Sequence, residues 1–299
     1  MDKLLCIAGT TATGKTKLAV TVAKEISGEI ISADSRQVYR GMDIGTGKDL
    51  EEYDGVPYHL IDIANPGEEY NVFRFKKDFT KAYNEIKNRG NIPVLCGGSG
   101  MYIDAVVNDY RLDEVPENRQ LRETLEQKST EELISLLKNI RTLHNTTDIT
   151  DRQRCIRAIE IEYYYREHPG KSPEKVFEPV IFIIDFDRKT IRDRITKRLS
   201  NRLKNGMVEE VRELLKSGVS AGMLKFYGLE YRFITSYIQG EITYEEMFSK
   251  LNTAIHQFAK RQETWWRRME KRGTVLHRID GRLTPEQKKD AVLKIFQQR

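Results

Sequence analysis

The sequence predicts an α/β fold: a P-loop parallel-sheet core, an all-helical insertion domain, and a helical, basic C-terminal part. Three observations predict it. Short apolar runs alternate with amphipathic stretches through the first two thirds of the 299 residues, as parallel strands covered by helices do. A GxxxxGK[ST] motif, Gly9-Thr10-Thr11-Ala12-Thr13-Gly14-Lys15-Thr16, lies between the first apolar run and the first helical stretch. From Asp113 onward strand signals cease until Val180.

The elements follow in order. Strands are expected at 3–8, 29–32, 59–63, 92–96 and 180–185, each a short apolar run bounded by turn residues. A helix is expected from Lys15 to Ile26. Another is expected over 73–88, where Phe75, Phe79, Ala82, Tyr83 and Ile86 recur at helical spacing. Gly90-Asn91-Ile92-Pro93 closes it and opens the next strand. Pro116 starts a polar helical region, and His168-Pro169-Gly170-Lys171-Ser172-Pro173 reads as the linker back to the sheet. From Ile191 to Arg272 the pattern is helical, punctuated by Gly206, Gly218, Gly222, Gly228 and Gly240. The expected division is 1–112 for the first part of the core, 113–175 for the insertion, and 176–299 for core completion and the basic helices.

Composition excludes several classes. With 39% hydrophobic and 32% charged residues and a mean hydropathy of −0.59, this is soluble globular material. No apolar run approaches the ~18 residues of a membrane span, and the N-terminal apolar run is too short for a signal peptide. Three widely spaced cysteines, Cys6, Cys96 and Cys155, offer neither a disulfide framework nor a zinc finger, so a reducing cytoplasm is expected. Charge is asymmetric. Residues 1–187 hold 25 Lys and Arg against 32 Asp and Glu, whereas residues 188–299 hold 25 against 13. A basic C-terminal third suits a polyanionic partner, and equally a solvated helical face.

The chemistry begins at the glycine-rich loop. Its backbone N–H groups and the following helix N-terminus supply positive potential to a phosphate. Lys15 reaches terminal phosphates and the Thr16 hydroxyl suits Mg²⁺. A nucleoside triphosphatase adds a second strand ending in Asp; Asp62 and Asp185 are the candidates, neither in a convincing context. Asp34 falls just past the second strand, at the sheet edge that also receives the phosphate loop. A carboxylate there can take a proton from an attacking nucleophile. Asp34 with Gln37 is also a capping-box pattern for a following helix. Gly97-Gly98-Ser99-Gly100 forms a second glycine-rich turn at the same edge.

Together these residues resemble the tRNA dimethylallyltransferase family, also called tRNA isopentenyltransferase, of bacterial type. The resemblance rests on the phosphate loop, on Ile31-Ser32-Ala33-Asp34-Ser35-Arg36-Gln37-Val38-Tyr39 through Gly45-Thr46, and on Gly97-Gly98-Ser99-Gly100-Met101-Tyr102. It continues through Asp151-Arg152-Gln153-Arg154, Arg157-Ala158-Ile159-Glu160, and Phe258-Ala259-Lys260-Arg261-Gln262-Glu263-Thr264-Trp265. It covers residues 9 to about 267. The absence of a C-terminal zinc-finger extension is what points to the bacterial type.

The resemblance implies transfer of a dimethylallyl group from its diphosphate to the exocyclic amine of the adenosine 3′ of the tRNA anticodon. The loop then holds a diphosphate leaving group, assisted by Lys15, Thr16 and Mg²⁺. Asp34 would be the base, and Ser99 would contact the acceptor nucleotide or the diphosphate. Lys225 stands where the family places Arg on the diphosphate, and keeps the charge without the bidentate fork. Other departures are Thr10 for Pro, Ser99 for Thr and Leu229 for Tyr. The tRNA, through its anticodon stem-loop, would meet Asp34, Ser35, Arg36, Gln37, Arg152, Gln153, Arg154, Arg157, Lys260, Arg261, Gln262 and Trp265. Of Trp265 and Trp266, at least one is expected to be a core anchor. A monomer is expected. Three other readings share parts of the pattern: an ATP-dependent small-molecule kinase, an adenylate isopentenyltransferase, and a non-catalytic RNA-binding module. The first two leave the Lys260–Arg268 block without a use, and the third leaves Lys15, Thr16 and Asp34 without one.

Overall fold

Alternation of side chains along strand β1 (Asp2–Gly9) sorts the core onto two faces. Leu4, Cys6 and Ala8 enter one apolar cluster, Leu5 and Ile7 the other. A strand buried on both faces belongs in the middle of a parallel sheet, and β1 sits there. The computed structural model, which describes residues 2–141, 147–169 and 177–298, contains a six-stranded, all-parallel sheet. Its other strands are β2 (Gly28–Ala33), β3 (Tyr58–His59), β4 (Ile92–Gly97), β5 (Phe177–Asp185) and β6 (Leu276–Asp280), in the order β3-β2-β4-β1-β5-β6.

Helix α1 (Lys15–Glu25) buries Leu18, Ala19 and Val22 on one face. The other face receives α2 (Val72–Asn88) through Phe75, Phe79, Tyr83 and Ile86, and α3 (Gly100–Val107) through Ile103, Val106 and Val107. The protein divides into two compact units, Met1–Tyr110 with Lys175–Arg299, and Arg111–Glu174. The second unit contains α4 (Arg119–Glu126), α5 (Thr130–Ile140), α6 (Thr147–Thr150) and α7 (Arg152–Glu167), around Leu125, Leu133, Leu137, Cys155, Ile156 and Ile159. The first unit continues with α8 (Arg188–Lys204), α9 (Met207–Lys216), α10 (Ala221–Tyr227), α11 (Leu229–Ile238), the 28-residue α12 (Tyr244–Lys271) and α13 (Pro285–Gln298). A Thr243/Glu246 capping box opens α12, and Leu251, Ile255, Ala259, Trp266 and Met269 line its buried side. Among the described residues, no helix is long and apolar enough to cross a membrane.

Three points need correction. The strand expected at 59–63 is only Tyr58–His59. Leu60 and Asp62 adopt φ of +63° and +54°, which removes them from extended geometry, and the Asp62 carboxylate turns to the Lys48 ammonium. Strand β6 went unread because His277 and Arg278 interrupt its apolar alternation. Nor does a helix follow Asp34: residues 35–38 form a turn, so the capping-box reading fails. Of the expected linker, residues 170–173 lie outside the described residues.

Candidate active site

Strands β1, β2 and β4 all end at one edge of the sheet, and the segments that leave them meet there. Open α/β sheets bind ligands at this edge. They enclose a cavity of about 930 Å³, in the range of small-molecule sites. Gly14, at φ +81°, turns the chain into α1 with no side-chain cap on the helix N-terminus. The first N–H groups of α1 are thereby left for an anion. Thr10 and Thr13 are buried, and the Thr13 hydroxyl donates to the Thr10 carbonyl at 2.9 Å. They shape the loop from beneath, while Thr11, Ala12, Gly14, Lys15 and Thr16 line the cavity.

Lys15 is half-buried, its Nζ 3.5 Å from the Thr10 carbonyl. Burial lowers its pKa, the charges of Arg198 and Arg202 lower it further, and Cys96 and Asp34 oppose them. Asp34 leaves the end of β2 half-exposed; its Oδ1 accepts the Arg36 N–H at 2.9 Å, an Asx-type turn that fixes the carboxylate plane. Ser99 comes from β4; its hydroxyl oxygen accepts the Ser35 N–H at 3.1 Å and its own N–H donates to the Ala33 carbonyl. The hydroxyl proton of Ser99 remains available to a ligand.

Gln262 is the brace between these loops. It is 6% exposed; its Oε1 accepts the Thr11 N–H at 2.9 Å and its Nε2 donates to the Gly98 carbonyl at 2.8 Å. Gly98 is required here, because a Cβ would lie 2.6 Å from Gln262 Nε2. Gln37 is likewise engaged, accepting from Ser32 Oγ at 3.1 Å and donating to the Gly47 carbonyl at 3.0 Å. Trp265 donates to Asp104 at 3.1 Å and lies under the Arg268 guanidinium, and Trp266 is the fully buried core anchor.

Helix α8 contributes cations that the sequence reading did not single out. Arg194, Arg198 and Arg202 recur every four residues beside the buried row Ile195, Leu199 and Leu203. Arg194 Nε donates to the Ala12 carbonyl at 2.7 Å, tying α8 to the phosphate loop. Arg198 and Arg202 both reach Asp49. The four-residue spacing of arginines beside a leucine row was the available signal. Neither candidate for a triphosphatase Asp lines the cavity. Asp62 pairs with Lys48, and Asp185 lies 3.2 Å from Arg278.

The IPP transferase family pattern matches residues 37–269, and the isopentenyl transferase pattern matches residues 2–56. The chain is 53% identical over 290 residues to tRNA dimethylallyltransferase 2 of Bacteroides fragilis, spanning 95% of each. It belongs to the tRNA dimethylallyltransferase family. Identity to tRNA dimethylallyltransferase 1 of Geotalea uraniireducens is also 53%, over 98% of this chain and 97% of the other. The solved tRNA isopentenylpyrophosphate transferase of Bacillus halodurans is 32% identical with a TM-score of 0.74, covering 100% of this chain and 96% of that one. A eukaryotic dimethylallyltransferase acting on tRNA shares the fold at 23% identity, with a TM-score of 0.81 over 99% of this chain and 78% of its own.

Of the site residues expected for this dimethylallyltransferase-family chain, Lys15, Thr16, Asp34, Ser35, Arg36, Gln37, Ser99, Lys225, Arg261 and Gln262 line one cavity. Gly9, Thr10 and Thr13 support its floor, while Lys260 and Trp265 lie outside its lining. Lys225 places its ammonium 2.6 Å from Glu241. In the helical unit Gln153 and Arg154 are exposed, whereas Arg152 and Arg157 are bound to partners of that unit. Beside Thr16 in the cavity lining, the Cys96 thiol has its pKa pushed up by burial to about 12. Thr16, Asp34 and Glu52 bring oxygen donors to the same cavity. Among the described residues no cluster of three or more His, Cys, Asp or Glu side chains is placed to hold a metal alone. That donor set fits Mg²⁺, which keeps several waters and shares its shell with substrate phosphates.

Proposed function

We propose that this chain transfers a dimethylallyl group from dimethylallyl diphosphate to the exocyclic amine of the adenosine 3′ of the tRNA anticodon, releasing diphosphate. The observation that carries this reading is the convergence of an uncapped helix N-terminus, Lys15 and Asp34 on one cavity. Family membership supports it over the kinase reading.

The roles follow from chemistry. The allylic carbon–oxygen bond breaks and the carbon–nitrogen bond forms, so negative charge grows on the departing diphosphate. The loop N–H groups and the Lys15 ammonium are held where that charge develops, without reorganisation. Asp34, oriented by the Arg36 N–H, accepts the proton lost by the amine. The Ser99 hydroxyl donates its remaining hydrogen bond to the diphosphate or the acceptor nucleotide. Mg²⁺ bound at Thr16 would neutralise part of the diphosphate charge. Lys225 would add a point charge to the same anion.

The acceptor base sits in an anticodon stem-loop and must leave its stack to reach Asp34. Lys260, Arg261 and the exposed Gln153 and Arg154 would meet the RNA, which makes residues 113–175 a tRNA-contact domain. The enzyme would act as a cytoplasmic monomer. Incubation with dimethylallyl diphosphate, Mg²⁺ and unmodified tRNA, followed by nucleoside mass analysis, tests the reading. One prenylated adenosine is expected; an unchanged nucleoside profile, or phosphate transfer from ATP in a parallel tube, would overturn it.

A further inference from the structure

Arg198 and Arg202 face the cavity from α8, and both direct a single nitrogen at one atom, Asp49 Oδ2, at 3.1 and 3.4 Å. Strong charge-assisted contacts of guanidinium run at about 2.7–2.9 Å and use both arms of the fork. One carboxylate oxygen therefore serves two guanidiniums, with most of their donors left over. The Arg202 side chain is only 15% exposed. Burial, then the like charge of Arg198, pulls its pKa down to about 10. Burial also raises the pKa of the nearby Glu230. Lys15 feels both arginines. This half-buried cationic cluster, in which one Asp49 oxygen serves both guanidiniums, suits an anion that arrives from outside.

The surrounding loop is shaped around these two side chains. Gly47, at φ +68°, leaves the space they occupy: a Cβ there would lie 1.6 Å from Arg202 Nη2 and 2.5 Å from Arg198 Nη2. Glu210 holds the loop in place, accepting the N–H groups of Asp43, Ile44 and Gly45 at 2.8, 2.6 and 3.0 Å. On the other side Arg194 fastens α8 to Ala12 of the phosphate loop. The two guanidiniums, each with one arm on Asp49, thus line the same cavity as Lys15.

Resting on the function proposed above, we infer that Arg198 and Arg202 form the second wall of the donor's diphosphate site, with Asp49 an internal counter-ion that holds them until the diphosphate displaces it. Calorimetric titration with inorganic diphosphate and Mg²⁺ tests this on the full chain and its variants, alongside tRNA binding. Arg202→Met and Arg198→Met are expected to weaken diphosphate binding about 10- to 100-fold, the loss of a hydrogen-bonded charge pair. Arg202→Lys, which keeps the charge and the fold, is expected to fall between. Asp49→Asn is expected to bind diphosphate at least as tightly as the wild type, whereas a merely structural ion pair predicts a loss. In every variant tRNA affinity should stay within about 2-fold. Wild-type diphosphate affinity in folded Arg198→Met and Arg202→Lys would overturn the inference. So would a loss confined to tRNA binding, which would assign the arginines to backbone phosphates. Weaker binding by Asp49→Asn would overturn the counter-ion role. A wild-type chain that ignores diphosphate would instead remove the proposed function, and the inference with it.

Discussion

Strand β2 carries a carboxylate at each end, and the two are used in opposite ways. Glu29, near the start of the strand, is 3% exposed. It accepts from Arg89 Nε and Nη2 at 2.9 and 2.7 Å and from Asn91 at 2.7 Å, with His59 Nε2 at 2.6 Å. Asp34, just past the end, accepts one backbone N–H and faces a cavity. An ionised carboxylate has about four acceptor positions. Glu29 has filled its positions with protein donors, so it can only hold structure together. Among the described residues Asp34 has filled one, which leaves an oxygen free for a substrate proton. Leftover acceptor capacity, not burial or charge, separates the structural acid from the chemical one.

The largest break in this comparison is at Asp34. Asp34→Ala is expected to lower turnover about 10²- to 10⁴-fold, the range for removal of a general base, while tRNA binding stays within a few-fold. Substantial surviving turnover would mean the proton goes elsewhere. At the other end, Glu29→Ala is expected to destabilise the fold by about 1–2 kcal/mol, since Arg89, Asn91 and His59 lose their shared acceptor but stay at least partly open to water, with activity per folded molecule unchanged. Urea titration measures it. The Arg89 hydrogen bond, with those from Asn91 and His59, holds the Glu29 carboxyl down to about 2. Its contribution is therefore complete above the ordinary glutamate range, near pH 4.5, and is lost as pH falls towards 2. Glu29→Gln should flatten stability over that window; an unchanged acid limb would show that the pairing does not persist in solution.

Next in size is the RNA side of α12. Lys260 is exposed, and Arg261 is exposed at the cavity rim near Phe258. Charge removal at either is expected to weaken tRNA binding and lower the slope of log affinity against log salt by about one. Equal binding at low and high salt would deny the basic surface any electrostatic part.

Local sequence carried the motifs well and the partnerships poorly. Gly9 to Thr16, Asp34 and Ser99 were legible because a phosphate loop and two sheet-edge turns impose residue types at fixed spacing. The division of labour between Trp265 and Trp266 was only half legible, since two adjacent residues on a helix face directions about 100° apart and sequence does not say which is inward. Gln262 was expected to meet the tRNA, and the structure makes it a buried brace between Thr11 and Gly98, 251 and 164 residues away. Arg198 and Arg202 were hidden because their meaning depends on Asp49 and Gly47, whose approach to α8 is a property of the fold. Strand β6 was missed for a related reason. It is a five-residue edge strand that carries charges facing outward.

The same distinction between filled and unfilled valence can be sharpened on guanidiniums inside the helical unit. Arg152 Nη2 donates to the Glu126 and Lys128 carbonyls at 2.7 and 2.6 Å, satisfying the end of α4. Arg157 pairs with Glu160 and donates to the Val115 carbonyl at 2.7 Å. Glu160 is itself buried and also binds Arg122 and the Asn118 N–H. Arg154, between them in sequence, is exposed, and among the described residues only its backbone N–H is engaged, by Asp151. Arg157→Ala and Arg152→Ala are therefore expected to cost stability, about 1–2 kcal/mol each. Any effect on tRNA would follow from a loosened unit and vanish at low temperature. Arg154→Ala is expected to leave the melting temperature unchanged and to weaken tRNA binding a few-fold, reversed by Arg154→Lys because a backbone phosphate needs charge more than a fork. If Arg154→Ala were silent while Arg152→Ala changed RNA affinity without changing stability, the bound arginine would be the RNA contact, and counting unfilled donors would have failed as a guide.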